Sequence, residues 1–180
     1  MTERSQKVAF SAVPYVLEGQ LIVRLPESAS KQLPSRGQVA VVLTYQDTEF
    51  LRVIEPDGNW GHWLRIDDGL QAAGVSANST ITMTLTPSKN WPEPIVPTDI
   101  AQALDKASQK VKDKWRDITP MARWEWVRWI NATKNPDTRT IRIEKTISKL
   151  DGTHRRPCCF NLAACTDTAL AKNGRLIGVV

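Results

Sequence analysis

The sequence predicts an α+β protein in which a small β-barrel precedes a module of three helices. Residues 7 to about 90 contain six short runs of partly alternating apolar and polar side chains, separated by proline- and glycine-containing turns. This pattern is typical of a small barrel or sandwich. Beyond residue 97, apolar residues recur at helical spacing instead. Residues 91–97 hold three prolines and predict a stiff spacer. We therefore expect a β-barrel domain at residues 1–92 and a helical module with a C-terminal tail at residues 93–180.

The predicted strands are residues 7–13, 20–25, 38–45, 49–55, 63–66 and 80–86. One stretch between them has chemical interest, because Trp60 and Trp63 flank His62. The two indoles would suit a stacking platform for a ring or a sugar, with Trp60 and His62 as ligand-binding candidates. In the alternative interpretation, both tryptophans close the end of the barrel and His62 points to solvent, since a lone histidine has no assigned chemistry.

Three helices are predicted after the proline-rich spacer. The first begins at Thr98 and its apolar stripe runs through Trp115. The second and third begin at prolines that follow the capping residues Thr119 and Asn135. On the second helix, Trp124 lies opposite the apolar stripe and one turn from Arg128. Its indole is therefore either covered by another part of the chain or exposed for a stacking or cation–π contact.

Arg139 is a further candidate, because it lies on the buried side of the third helix. A guanidinium in that position needs a carboxylate or several carbonyl groups. We expect a structural ion pair; if Arg139 instead lines a pocket, it would bind an anion.

The tail contains His154, Cys158, Cys159 and Cys165, which are metal-ligand residue types. A zinc site usually takes cysteine pairs two to four residues apart, and adjacent cysteines rarely reach one ion, so we expect no metal. We also expect no cofactor. Cys158 and Cys159 are candidate reactive thiols, because two arginines precede them and positive neighbours lower a thiol pKa. The alternative is that the cysteines are buried and anchor the tail.

Charge is distributed unevenly along the chain. Residues 1–94 carry 8 Lys and Arg against 10 Asp and Glu, a net charge of −2, whereas residues 95–180 carry 16 against 9, a net charge of +7. The basic half favours an acidic partner, although solvated helix faces have the same composition. The sequence contains no run of about 18 apolar residues, so it predicts no transmembrane segment. Three cysteines and the lack of a signal sequence at the N-terminus predict a cytoplasmic protein.

Three stretches of the helical half form a recognisable set of motifs: Val-Pro-Thr-Asp-Ile-Ala-Gln-Ala-Leu at residues 96–104, Trp-Ile-Asn-Ala-Thr-Lys at residues 129–134, and Thr-Arg-Thr-Ile-Arg-Ile at residues 138–143. Together they resemble the bacteriocin-protection, OmpD-associated family. The N-terminal half is similar to an uncharacterised bacterial domain that is often fused to it. That similarity implies a double-split β-barrel, an architecture shared with AbrB/MazE-type DNA-binding antitoxins. The resemblance implies a link to envelope stress and antimicrobial-peptide tolerance, and it supplies no catalytic residues.

Three hypotheses for function follow. The first is a non-enzymatic stress- or bacteriocin-resistance protein that acts through contacts with another protein. The second is a nucleic-acid-binding regulatory module that uses the basic half. The third is a small-ligand binder or an enzyme, for which the sequence offers no nucleophile–base spacing or phosphate loop. We favour the first, and the candidate contact residues are Trp124, Arg128, Lys134, Arg139 and Arg142, with Trp60 and His62 in the first domain.

Overall fold

The computed structural model describes residues 6–158 and 160–179, which form two compact units. The first contains residues 6–91 and two tail segments, residues 162–165 and 169–179. The second contains residues 92–158, 160–161 and 166–168. The sequence-based division assigned the whole tail to the helical module, whereas most of the tail groups with the first unit.

The first unit is built on one antiparallel sheet of seven strands in the order β1-β7-β4-β5-β6-β3-β2. Two short helices interrupt the strands: α1 after β3 and α2 after β6. The elements are β1 Val8–Ala12, β2 Tyr15–Leu17, β3 Gln20–Arg24, α1 Glu27–Ser30, β4 Val39–Tyr45, β5 Thr48–Pro56, β6 His62–Arg65, α2 Asp68–Ala72 and β7 Ile81–Pro87.

The sheet is curled into a half-barrel by its own connectivity. β1 and β2 lie at opposite edges of the strand order, yet only Val13 and Pro14 separate them in the chain. Two residues span roughly 10 Å, so the two edges are held close together. The sequence predicted six of the seven strands. The missed strand is β2, a three-residue strand that follows Pro14.

The inner face of this sheet and part of its outer face are apolar. The inner face gathers alternate residues of the long strands, such as Val41 and Leu43 of β4 and Met83 and Leu85 of β7. On the outer face, a second cluster joins two sheet residues to three residues of the tail: Ile22, Trp63, Cys165, Leu170 and Leu176. The tail contributes a small hairpin to this cover, made of β8 Ala171–Lys172 and β9 Arg175–Leu176.

The second unit contains four helices rather than the predicted three: α3 Thr98–Lys106, α4 Gln109–Asp117, α5 Pro120–Asn131 and α6 Pro136–Asp151. The predicted first helix breaks after α3, because the Ser108 side chain accepts a hydrogen bond from the Val111 amide and starts α4. The predicted caps Thr119 and Asn135 are confirmed; each accepts a hydrogen bond from the amide three residues later, at 3.2 and 3.0 Å.

The α+β class and the order of a barrel-like sheet followed by helices are confirmed. The four helices enclose their own core of buried apolar residues: Ile100, Leu104, Val111, Ile118, Ala122, Trp126, Ile130 and Leu150. None of the helices in the described residues is long and apolar enough to cross a lipid bilayer.

Candidate functional site

Arginines of the second unit hold its helices and connecting segments together. Between residues 95 and 158 the chain has seven arginines, and each contacts a group within this unit. Four of them form ion pairs between residues distant in sequence: Arg123–Glu93, Arg139–Asp99, Arg155–Asp117 and Arg156–Glu125. Arg123 also donates to the carbonyls of Trp115 and Ile118 at the end of α4. Much of the positive charge that makes the C-terminal half basic therefore serves internal contacts.

The predicted structural ion pair of Arg139 is confirmed. Its Nε and Nη2 atoms donate to the two oxygens of Asp99 at 2.6 and 2.9 Å, and Nη1 donates to Oδ1 of Asn131 at 2.8 Å. The hydrogen bonds from Arg139 hold the pKa of Asp99 below its usual value. This pair fastens the start of α3 to α6, within the stretch whose motifs carried the family resemblance.

Trp124 and Arg128, the candidate stacking pair, make internal contacts. The half-buried indole of Trp124 donates from Nε1 to the carbonyl oxygen of Pro92 at 2.6 Å. Arg128 is buried, donates from Nε to Oγ1 of Thr166 at 2.9 Å, and lies over the ring of Phe160 at 5.1 Å. A partner could reach Arg128 only by displacing these neighbours.

A cleft on the outside of the second unit brings together an indole and basic side chains that the sequence did not single out. We call it the Trp129 cleft; its volume is about 480 Å³, and it is open to solvent. It is lined by Trp126, Trp129, Lys145, Ser148, Lys149, Pro157 and Cys158. The ring of Trp126 is fully buried behind this surface and meets the Trp129 ring edge-on, with the centroids 6.1 Å apart. A ligand would therefore contact Trp129.

The basic residues of the Trp129 cleft come from one face of α6. Arg142, Lys145 and Lys149 are separated by three and four residues, a spacing that places them on the same side of a helix. The Arg142 guanidinium lies 5.4 Å from the centre of the Trp129 ring and donates to the Trp129 carbonyl at 2.6 Å. Lys145 is exposed, whereas Lys149 is half-buried. Among the earlier candidates, Arg142 therefore borders the cleft, while Lys134 is exposed in the turn before α6.

Cys158 stands at the edge of this cleft. Its thiol is exposed, and Nζ of Lys149 lies 3.5 Å from its Sγ atom. The two arginines that were expected to act on this thiol, Arg155 and Arg156, are instead paired with carboxylates. Cys159 lies outside the described residues. Cys165 is buried in the first unit, and no group of three or more His, Cys, Asp and Glu side chains among the described residues could hold a metal ion.

The barrel-closing interpretation of the Trp60–Trp63 stretch is wrong for two of its three residues, although Trp63 is buried as it expected. His62 does not point to solvent: it is 1% exposed, whereas Trp60 is 75% exposed. His62 is held by Ser30 Oγ, 2.7 Å from Nδ1, and by the Gly37 carbonyl, 3.0 Å from Nε2. Because a carbonyl only accepts, Nε2 bears the hydrogen of the neutral ring, and the Ser30 hydroxyl donates to Nδ1. Burial lowers the pKa of His62 and favours this neutral form.

Trp60 is displayed by a tightly hydrogen-bonded loop. Oδ1 of the buried Asp57 accepts from the amides of Asn59 and Gly61 at 2.7 and 2.8 Å. Arg36 donates to the Trp60 carbonyl at 3.0 Å. Trp60 itself has a φ of +66°, which is a strained conformation for a bulky residue. The loop therefore holds an exposed indole in place.

Taken together, these features define a two-domain α+β protein: a half-barrel with a buried histidine, and a helical unit with a basic, tryptophan-lined cleft. Each of the two domains is similar to a protein family. Residues 93–152 match the family described as Bacteriocin-protection, YdeI or OmpD-Associated, and residues 10–85 match the family described as Domain of unknown function (DUF1905). The two matches follow one another along the chain, and each covers less than half of it. A comparison with curated proteins found no match.

Proposed function

We propose that this chain contributes to protection against bacteriocins by binding another protein through the Trp129 cleft, without a catalytic step of its own. The family description associates residues 93–152 with bacteriocin protection. Five residues that line the cleft belong to α5 and α6 and lie within that matched range: Trp126, Trp129, Lys145, Ser148 and Lys149. The proposal includes a reducing, cytoplasmic location, in which Cys158 remains a thiol.

The observation that carries this proposal is the difference between the lysines of the cleft and the arginines around it. The arginines are engaged in internal pairs, whereas Lys145 and Lys149 flank a half-buried indole at a surface that is open to solvent. Tryptophan is enriched among the residues that dominate binding energy at protein interfaces, and positive charges at the rim accelerate encounter with an oppositely charged partner.

The other two hypotheses have less support. A phosphate backbone is bound chiefly by lysine and arginine, and the paired arginines of the second unit contribute little to such a surface. A catalytic role for the Ser30–His62 pair would require access to a substrate, and both residues are 1% exposed. The remaining candidates, Trp60 and Lys134, are exposed and would be secondary contacts.

The test is a survival assay in bacterial cells that produce the protein and are challenged with a bacteriocin. Ser148 is exposed and lines the cleft, so Ser148→Trp fills the cleft without removing an internal contact. Gln102→Trp places the same side chain at an exposed position of α3. We expect Ser148→Trp to abolish protection and Gln102→Trp to retain it. Equal survival with the two variants, at equal protein levels, would contradict the proposal.

A further inference from the structure

We infer that the Trp129 cleft binds an acidic segment that carries an aromatic or large aliphatic side chain. This inference rests on the proposed function and specifies the chemistry of the partner. The positive charge of the cleft excludes a peptide with net positive charge. The chain would accordingly act on an acidic protein partner rather than capture a cationic antimicrobial peptide directly.

The charge of the cleft selects for acidic groups. Lys145 and Lys149 line the cleft from one face of α6, and Arg142 adds a third cation beside them, against the Trp129 ring. The described residues that line the cleft include no carboxylate. The nearest acidic residues of α6 point away from the cleft. Glu144 lies about 100° around the helix from its sequence neighbour Lys145. Asp151 pairs with Lys110 at 3.7 Å. Binding a positively charged group beside these three cations would be unfavourable in free energy, whereas binding a carboxylate there would be favourable.

The indole supplies the apolar part of the recognition. The Trp129 ring is half-buried, fixed from behind by the buried Trp126 and from one side by the Arg142 guanidinium. A rigid ring of this kind gives contact area at little cost in conformational entropy. Pro157 adds a second apolar surface to the lining.

The size and openness of the cleft favour a peptide segment over a small molecule. About 480 Å³ is within the range of ligand sites, but such sites usually enclose most of the ligand, and this cleft is open to solvent. An open cleft accommodates one large side chain while the chain that bears it continues along the two lysines of α6. The two lysines then contact carboxylates next to the anchoring side chain.

Nucleic acid fits the Trp129 cleft less well than an acidic peptide does, and the salt dependence of binding can be measured. Binding through only three cations predicts a salt dependence with a slope of about −3 at most, shallower than that of a protein with many phosphate contacts. An acidic peptide without an aromatic residue tests the role of Trp129, because it keeps the negative charge and lacks the side chain that would contact the indole.

The closing experiment measures fluorescence anisotropy of labelled peptides with the full-length protein at low salt. The probe is an acidic peptide of glutamates with one central tryptophan; the controls are the same peptide with alanine at the centre, a lysine peptide with the tryptophan, and duplex DNA. We expect the acidic tryptophan peptide to bind at least about tenfold more tightly than any control. Tighter binding of DNA or of the lysine peptide, or no binding of the acidic peptide, would overturn the inference.

Matched charge reversals locate the binding. Lys145→Glu with Lys149→Glu changes the cleft, and Lys106→Glu with Lys112→Glu makes the same change in net charge on α3 and α4. We expect a loss of about tenfold or more in affinity for the first variant and little change for the second. Because Lys149 is half-buried, Lys145→Glu alone serves as the variant least able to disturb the fold. Equal losses for both double variants would show that net charge alone is responsible.

The two proposals fail in different ways. If Ser148→Trp abolishes protection while no acidic peptide binds, the cleft is functional and the inferred chemistry of the partner is wrong. If Ser148→Trp leaves protection intact while the acidic peptide binds at the cleft, the chemistry holds and the proposed function is wrong.

Discussion

Replacing Gly58 with alanine tests how the tail hairpin is attached to the half-barrel. Gly58 lies in the turn before β6 with a φ of +77°, where its backbone meets the turn of the hairpin. A Cβ atom at this position would lie 1.9 Å from the carbonyl oxygen of Gly174 and 2.9 Å from the Cα atom of Arg175. Both are backbone atoms, so the hairpin must move to make room.

The expected decrease in the free energy of unfolding of Gly58→Ala has two parts, and Gly19→Ala is the control that separates them. An alanine in the left-handed region costs about 1–2 kcal/mol, and forcing packed backbone apart adds about 1–3 kcal/mol. Gly19 has nearly the same φ, +75°, and a Cβ atom added there would meet no other atom within 4 Å. Gly19→Ala should therefore lower the free energy of unfolding by about 1–2 kcal/mol, and Gly58→Ala by about 2–5 kcal/mol.

Urea unfolding measures the two free energies, and hydrogen exchange shows where the difference arises. The Leu176 amide donates to the Asp57 carbonyl at 2.8 Å, and the Cys165 amide donates to the Gly174 carbonyl at 2.8 Å. Both amides should lose protection in Gly58→Ala and keep it in Gly19→Ala. If the two variants cost the same and the Leu176 amide remains protected in both, the close contact between Gly58 and the hairpin does not constrain the tail.

Two further predictions concern buried ionisable groups. Burial lowers the pKa of His62 in the folded state below the reference value of 6.5, so the unfolded chain takes up a proton first as the pH falls. The free energy of unfolding should therefore decrease as the pH is lowered from 6.5 through the folded-state pKa. Denaturation between about pH 8 and pH 5 should show this decrease in the wild type and a smaller one in His62→Gln. For the Glu125–Arg156 pair, the Glu125 side chain is 5% exposed and that of Arg156 is 53% exposed. Arg156→Ala leaves a buried, unpaired carboxylate and should cost about 3 kcal/mol, whereas Glu125→Gln leaves a solvated guanidinium and should cost about 1 kcal/mol. The reverse order in urea unfolding would contradict this account.

Features set by local chemistry could be predicted from the sequence, and features set by distant parts of the chain could not. The caps Thr119 and Asn135 were identified because a side-chain oxygen three residues before an amide is a local arrangement. β2 was missed because its turn to β3 places both Glu18 and Gly19 at positive φ, and glutamate is an uncommon residue at such a position. The break at Ser108 was missed because the apolar stripe continues through it.

The candidate site shows the same limit. In β6, His62 and Trp63 point to opposite faces, and alternation in a half-exposed strand would leave one of them in solvent. Both are buried, because the C-terminal tail covers the outer face of the sheet. On α6, the spacing of Arg142, Lys145 and Lys149 was available in the sequence. Their significance depended on Trp129, which the apolar periodicity of α5 assigned to the core.

The pairing of β1 with β7 has a consequence for how the chain is made. Val8 lies opposite Leu85, so β1, the first strand of this sheet to be synthesised, can pair only after β7, the last strand of the sheet, has been made. At about 5–20 residues per second, synthesis of the intervening stretch takes about 4–16 s. The β4–β5 hairpin, by contrast, joins neighbouring segments and forms within microseconds of their emergence. A newly made chain therefore leaves the apolar side chains of β1 uncovered for seconds, a period in which a chaperone has time to bind them.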